Sequence, residues 1–224
     1  MHIFAIAKSF TAFSHLMLED IIRNLLNAPP SQRRIQADLI RMGHETQHWR
    51  DALIPWEQDQ EMELLSLNRE SKWVKKSFDR YLKGVFYSIY HEPMLAYAYK
   101  RYLKGGNFDL YFATTRTHQF IYHKHKSRTD FFVDGEQIGY ITPDWLMYSN
   151  RRRMLGRRTR FSDDFFMVII WDQEAAHLRD PRRVDRVNPR AFEIMVNLSE
   201  KEQLLLMALS FLTMIQRSHG LDGA

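Results

Sequence analysis

Three groupings of side chains in this chain are of types, and at spacings, that could do chemistry. The first is "GHETQH", where His44, Glu45 and His48 spell H-E-x-x-H. On a helix, histidines four residues apart project from one face and can hold zinc, and the glutamate activates a metal-bound water. That chemistry is peptide-bond hydrolysis. The second is "RRRMLGRRTR" (151–160), where Arg151, Arg152, Arg153, Arg157, Arg158 and Arg160 flank Met154, Leu155 and Gly156. A guanidinium is planar and grips phosphate through two parallel hydrogen bonds, so this run, read as a hairpin or loop, is a candidate anion site. Tyr148 and Phe161 are close enough in sequence to add apolar or stacking contact. The third is "HKH" (123–125), two histidines on one strand face that could form a metal edge site. Lys124, Lys126 and Arg128 around it repel a cation, and it reads as an exposed basic strand.

The zinc motif is weakened by its surroundings. Ser31 is a plausible N-cap for a helix reaching about Leu53. Its apolar stripe is Ile35, Leu39, Met42, Trp49 and Leu53, with Thr46 in the remaining slot. At 100° per residue, His44 and His48 fall opposite that stripe, beside Arg33, Arg41 and Asp51. A third ligand is not evident. The extended zinc-protease pattern wants a glycine at position 51 and a histidine at 54, where the chain has Asp51 and Ile54. Glu61, Glu63 or Glu70 could substitute, but none sits in a second ligand helix. Glu45 and His48 are also half of a di-iron Glu-x-x-His pair, and no second copy accompanies them. A zinc-dependent hydrolase using His44 and His48, with Glu45 as base, stays the alternative reading.

Composition narrows the rest. The chain has 224 residues, 45% of them apolar, and no cysteine. It can bury a core, and it holds no disulfide, thiolate metal site or cysteine nucleophile. The net charge is +5, and residues 151–160 carry six arginines without an acid, so the remainder is close to neutral. A concentrated patch of this kind attracts phosphate more than a diffuse basic surface does. No P-loop, G-x-S-x-G or dinucleotide glycine pattern is present, and Asp163 and Asp164 would face opposite ways on a strand. The N-terminus lacks a basic leader and does not read as a signal peptide, and no apolar run reaches the ~18–20 residues of a membrane span. A cytoplasmic location is expected.

The elements that must position these groups change character along the chain. Residues 10–26 read as one helix, ended by Pro29 and Pro30, and the Ser31–Leu53 helix follows. After a charged stretch come short aromatic and β-branched segments at 85–90, 108–114, 118–123, 130–133, 137–141, 145–149, 165–171 and 191–196. "VDGE" (133–136) marks a hairpin, because Asp-Gly accepts positive φ. Leu95, Tyr97 and Tyr99 alternate, so 92–104 reads as a further strand, although Pro93 and Gly105 would also frame a helix. Many short strands with regular punctuation imply an antiparallel sheet or barrel. Ser199 and Glu202 form a capping box, Gly220 can close the helix, and "LLLMALSFLTMI" (204–215) is apolar on almost every side. Such a helix must be surrounded, and twelve residues cannot cross a bilayer.

Strands followed by one buried terminal helix resemble the tubby-like fold, a closed barrel of about twelve strands around a hydrophobic helix. "FEIMVNLSEKEQLLLMALSFLTMI" (192–215) is similar to the end of phospholipid scramblase and LURP-one-related domains, and "TDFFVDGEQIGYI" (129–141) to their hairpins. The resemblance covers about residues 62–217. It implies an α+β, mainly β chain: an antiparallel barrel domain over 59–224 enclosing a central helix at 200–218. A helical hairpin extension over 1–58 has no counterpart there. Scramblases also carry a proline-rich leader, palmitoylated cysteines and a calcium-binding segment. This chain has no cysteine, seven prolines and no D-x-[DN]-x-[DN]-G loop, so the fold carries over and lipid flipping does not. The function expected is non-enzymatic binding without a cofactor. The expected partners are an anionic lipid headgroup or other phosphate ligand at the arginines, or a protein partner or second copy at the N-terminal helices. Nucleic acid is equally allowed by charge.

Overall fold

Every second residue is buried along segments such as 119–122, 129–133 and 165–170, and the chain after residue 62 forms twelve antiparallel strands, each paired with the next. The computed structural model describes residues 30–55, 62–76, 79–102, 108–183 and 190–221. The strands are β1 (Leu65–Lys76), β2 (Asp79–Ser88), β3 (Pro93–Tyr102), β4 (Phe108–Thr114), β5 (Gln119–Lys124) and β6 (Thr129–Val133). They continue as β7 (Glu136–Ile141), β8 (Leu146–Ser149), β9 (Met154–Arg160), β10 (Phe165–Ile170), β11 (Gln173–Arg179) and β12 (Phe192–Ile194). Their order in the sheet is their order in the chain. The sheet curls until its edges nearly meet: Ser66 on β1 bridges Arg190, just ahead of β12, and the Ala191 N–H donates to the Leu65 carbonyl at 2.8 Å. The chain is therefore mainly β, a nearly closed antiparallel barrel.

Helix α2 (Glu200–Ser218) fills the barrel, and every residue from Leu205 to Gln216 is buried. Burying a leucine, methionine, isoleucine or phenylalanine contributes about 1.5–3 kcal/mol each, and α2 buries eight of them. The Phe211 ring meets Phe120 edge to face at 5.1 Å, and the Tyr122 hydroxyl donates to the Ala208 carbonyl at 2.7 Å. The helix begins with the Glu202 carboxylate accepting from the Ser199 N–H at 2.8 Å, the capping box the sequence predicts. It ends in a Schellman turn: Gly220 takes φ +64°, and the Leu221 N–H donates back to the Gln216 carbonyl at 2.8 Å.

Helix α1 (Gln32–Arg50) starts where the Ser31 side chain accepts from the Arg34 N–H at 3.3 Å. Its predicted stripe packs on the outside of β2–β4. Ile35 and Met42 join Tyr81, Ala98, Tyr102, Phe108, Leu110 and Phe112 in a second core, and Leu53 covers Val85 and Ala96. Thr46, the polar slot in that stripe, returns its hydroxyl to the Met42 carbonyl at 2.9 Å. Asp38 ties the helix down, accepting from Lys100 Nζ at 2.7 Å and from the Tyr102 hydroxyl at 2.5 Å. With α2 inside and α1 outside, β3 and β4 are covered on both faces, which explains their almost continuous burial. The helix expected over residues 10–26 lies outside the described residues.

Two strands differ from the sequence-based expectation. β1 lies in the charged stretch, its residues 70–73 exposed to solvent at the seam of the barrel. β11 (QEAAHLR) has no β-branched residue and is held between β10 and β12. The arginine run, read as a hairpin or loop, is the turn and second arm of the β8–β9 hairpin, with Arg157, Arg158 and Arg160 on a strand within the sheet. Among the described residues, no helix is long and apolar enough to cross a membrane.

Candidate anion-binding site

The six arginines do not form one patch. A strand advances about 3.3 Å per residue, so β9 separates its ends by roughly 20 Å. Arg151, Arg152 and Arg153 are exposed in the β8–β9 turn, where Arg152 has φ +59° and Ser149 and Arg153 close the loop. Arg157 lies half-buried on the strand, opposite Leu146 and Ile169. Arg158 and Arg160 are paired with Val168 and Phe166 of the inner face; the Arg158 guanidinium meets the central helix directly, while the exposed Arg160 reaches it only through Asp180. Arg158 lies 3.5 Å over the Trp145 ring and 4.3 Å over Phe166, and donates to the Thr213 hydroxyl at 3.1 Å. Arg160 donates to Asp180 at 2.7 Å, alongside Arg217 of α2, which reaches the same carboxylate at 2.5 and 2.9 Å. Burial opposes the charge on Asp180, but hydrogen bonds from Arg217 and Arg160 outweigh it and hold its carboxyl down to about 2. Two of the six arginines therefore clamp the helix to the barrel wall.

The same end of the barrel opens a cavity of about 190 Å³. One wall is the β5–β6 turn with Lys124, His125, Lys126 and Arg128, closed by a hydrogen bond from the His125 N–H to the Arg128 carbonyl at 2.8 Å. The other is the β7–β8 turn with Thr142, Pro143 and Trp145, where Trp145 takes φ +62° and is backed by Arg158. Leu212 and Gln216 of α2 form the floor. Lys124 reaches the Leu221 carbonyl at 3.4 Å, beside the C-terminal turn of α2. Arg128 pairs with Asp130 at 3.0 Å and lies 5.3 Å over Tyr140. Lys126 is exposed and has no ion-pair partner among the described residues.

The charge of this wall has a gradient. A helix C-terminus carries roughly half a negative charge, and Lys124, Arg69 and Arg217 answer it: Arg69 donates to the Ser218 carbonyl at 3.0 Å. An anion pushed down to the floor would meet that negative end. At the rim, Lys126 and Arg128 against Asp130 leave net positive charge. The cations of the cavity thus lie at the 125–128 turn, and its apolar lining is Ile141, Trp145 and Leu212. The sequence places these cations together but does not indicate the cavity, which needs the β7–β8 turn and α2, both distant in the chain.

The zinc motif occupies α1. His44 and His48 are exposed, as the helical wheel predicts, and His48 lies against Trp49 with ring centroids 4.1 Å apart. Glu45 is engaged by Arg41 at 2.8 Å and Lys83 at 3.6 Å. The described residues contain no group of three histidine, aspartate or glutamate side chains placed to hold a metal. His123 is largely buried, with its pKa lowered by that burial, while His125 lies 3.8 Å from Asp130, so the "HKH" pair is split between the strand and its turn. Comparison with protein-family models, curated proteins and solved structures finds no match for this chain.

Proposed function

We propose that the chain is a tubby-like barrel preceded by a helical hairpin, and that it is a binding protein, not an enzyme. Its ligand is a small phosphate-bearing molecule or headgroup held at the mouth of the barrel. The cavity between the β5–β6 and β7–β8 turns carries this reading, because it sets Lys126 and Arg128 at the rim of a pocket lined deeper by Ile141, Trp145 and Leu212. Its ~190 Å³ is below the roughly 300–1,000 Å³ of clefts that enclose whole drug-sized ligands. It suits a phosphate and its nearest carbons, not an entire lipid. Arg158 and Arg160 support the site from behind instead of touching the ligand, and Arg151–Arg153 lie at the opposite end.

The test is titration with inorganic phosphate and glycerol phosphate, followed by sedimentation with phosphatidylcholine vesicles with and without phosphatidylserine. Each charge-assisted hydrogen bond contributes about 1.5–3 kcal/mol. A Lys126→Ser/Arg128→Ser variant should therefore lose roughly tenfold or more in affinity, and binding should weaken with salt. Replacing Arg151, Arg152 and Arg153 by serine should leave affinity within a factor of two or so. The opposite ranking would move the site to the β8–β9 turn. Indifference to both variants would remove the anion reading.

A further inference from the structure

The floor of the mouth cavity is not uniformly apolar. Beside Leu212 it presents Gln216 of α2, a polar residue only 3% exposed. A glutamine amide offers two N–H donors and a carbonyl acceptor. The Tyr111 hydroxyl lies close enough to feel that amide, yet it is buried without a hydrogen-bond partner among the described residues. Two more neutral polar residues line the same space, Thr129 at the start of β6 and Thr142 in the β7–β8 turn. The Thr142 Oγ1 accepts from the Leu146 N–H at 3.1 Å, which leaves its own proton to donate. Charge limits what such a floor can take. The C-terminal end of α2 carries partial negative charge, and the cations that answer it are engaged: Arg69 with Ser218, Arg217 with Asp180, Lys124 with Leu221. The deep end of the cavity therefore suits a group that is polar and uncharged.

We propose that the ligand of this cavity is a phosphate ester with a single phosphate and a short, hydroxylated carbon chain: the phosphate at Lys126 and Arg128, a hydroxyl at Gln216. This rests on the phosphate reading above and adds a second anchoring group to it. Two simpler chemistries fit less well. An alkyl phosphate would set hydrocarbon against the Gln216 amide, and a buried polar group denied a partner weakens binding by roughly five- to a hundredfold. A bisphosphate would press a second anion toward the negative end of α2. A hydroxyl does neither, because it both donates and accepts. The carbons between the two anchors have their own surface in Ile141 and Trp145, the indole being held by Arg158 at 3.5 Å. A volume of about 190 Å³ is roughly that of six liquid waters, enough for a phosphate and a short chain. Gln216 is thus a specificity residue, supplied by the central helix and not by the basic turn.

Calorimetric titration of the full chain with inorganic phosphate, propyl phosphate, glycerol phosphate and glycerol bisphosphate tests this. Glycerol phosphate should bind roughly tenfold more tightly than propyl phosphate, which has as many carbons and no hydroxyl. It should also bind more tightly than the bisphosphate. Gln216→Met keeps the length of the side chain and removes the amide, and it should largely erase the preference for glycerol phosphate over propyl phosphate. Equal affinities for these two esters, or a preference that survives Gln216→Met, would overturn the inference and leave the phosphate site standing. Absence of binding by all four ligands would remove the phosphate reading with it. The ligand series is read on the unmodified protein, so it decides the matter even where Gln216→Met fails to fold. Phosphatidylcholine vesicles containing phosphatidylglycerol, sedimented with and without glycerol phosphate, separate the two sources of this chemistry. Vesicle binding that glycerol phosphate displaces assigns a lipid headgroup, and binding of the free ester alone assigns a soluble ligand.

Discussion

Asp180 is where barrel and central helix are joined most directly. It is 1% exposed, accepts from Arg160 on β9 and Arg217 on α2, and receives the Arg182 N–H at 3.1 Å. Its carboxyl ionises at about 2, below the ordinary 3.8, so the folded state binds a proton there less readily than the unfolded chain. The stability this supplies is fully present above pH 4 and is lost as the pH falls through 2. A shift of this size corresponds to something on the order of 2 kcal/mol. Asp180→Asn should therefore lower the melting temperature at pH 7 and flatten its fall between pH 4 and 2, as thermal scans across that range would record. An unchanged slope would mean that other carboxylates govern the acid limb. His219 acts in a different range. Burial first, and Arg69 second, push its pKa down to about 4, and its Nε2 lies 2.7 Å from the Tyr97 hydroxyl.

Among the elements, α1 shows what the sequence can and cannot specify. Its N-cap, its buried stripe and the outward direction of His44 and His48 all follow from spacing, because a helix that packs on one side obeys a local period. The Schellman end of α2 is legible in the same way, from Gly220 alone. The arginine run misleads for the complementary reason. Six like charges in ten residues suggest one patch, but strand geometry turns Arg158 onto Trp145 and Thr213 and ties Arg160 to Asp180. Those acceptors lie up to 55 positions away, so no window of sequence contains the site. The mouth cavity is hidden likewise, since its cations and its floor meet only through the closed barrel. A further prediction belongs at this scale. Asp38 and Lys100 are nearly buried, with 12% and 8% side-chain exposure. Asp38→Ala would take from the nearly buried Lys100 its 2.7 Å charge-assisted hydrogen bond and should cost about 1.5–3 kcal/mol. Chemical denaturation of variant and parent measures this. A loss under 1 kcal/mol or so would mean that water reaches Lys100.

At the scale of the whole molecule, one helix is the common core of strands from every part of the sheet. Phe211 packs on Phe120, Ala208 on Tyr122, Thr213 on Arg158 and Ser218 on Arg69, which spreads its contacts over β1, β5 and β9. A cavity at the centre should thus weaken all of them together. Phe211→Ala is expected to cost about 3–5 kcal/mol and to keep a single cooperative transition. Separate melting of the two halves of the sheet, followed by fluorescence and by far-ultraviolet dichroism, would contradict a shared core.

The order of elements along the chain adds a consequence for birth on the ribosome. Neighbouring strands are consecutive, so each hairpin can form as soon as it emerges. The helix that lines the inside follows all twelve strands. At roughly 5–20 residues per second, the nascent sheet waits about ten to thirty seconds with its greasy concave side uncovered. Until α2 arrives, that surface is a ready substrate for holdase chaperones and a liability for self-association.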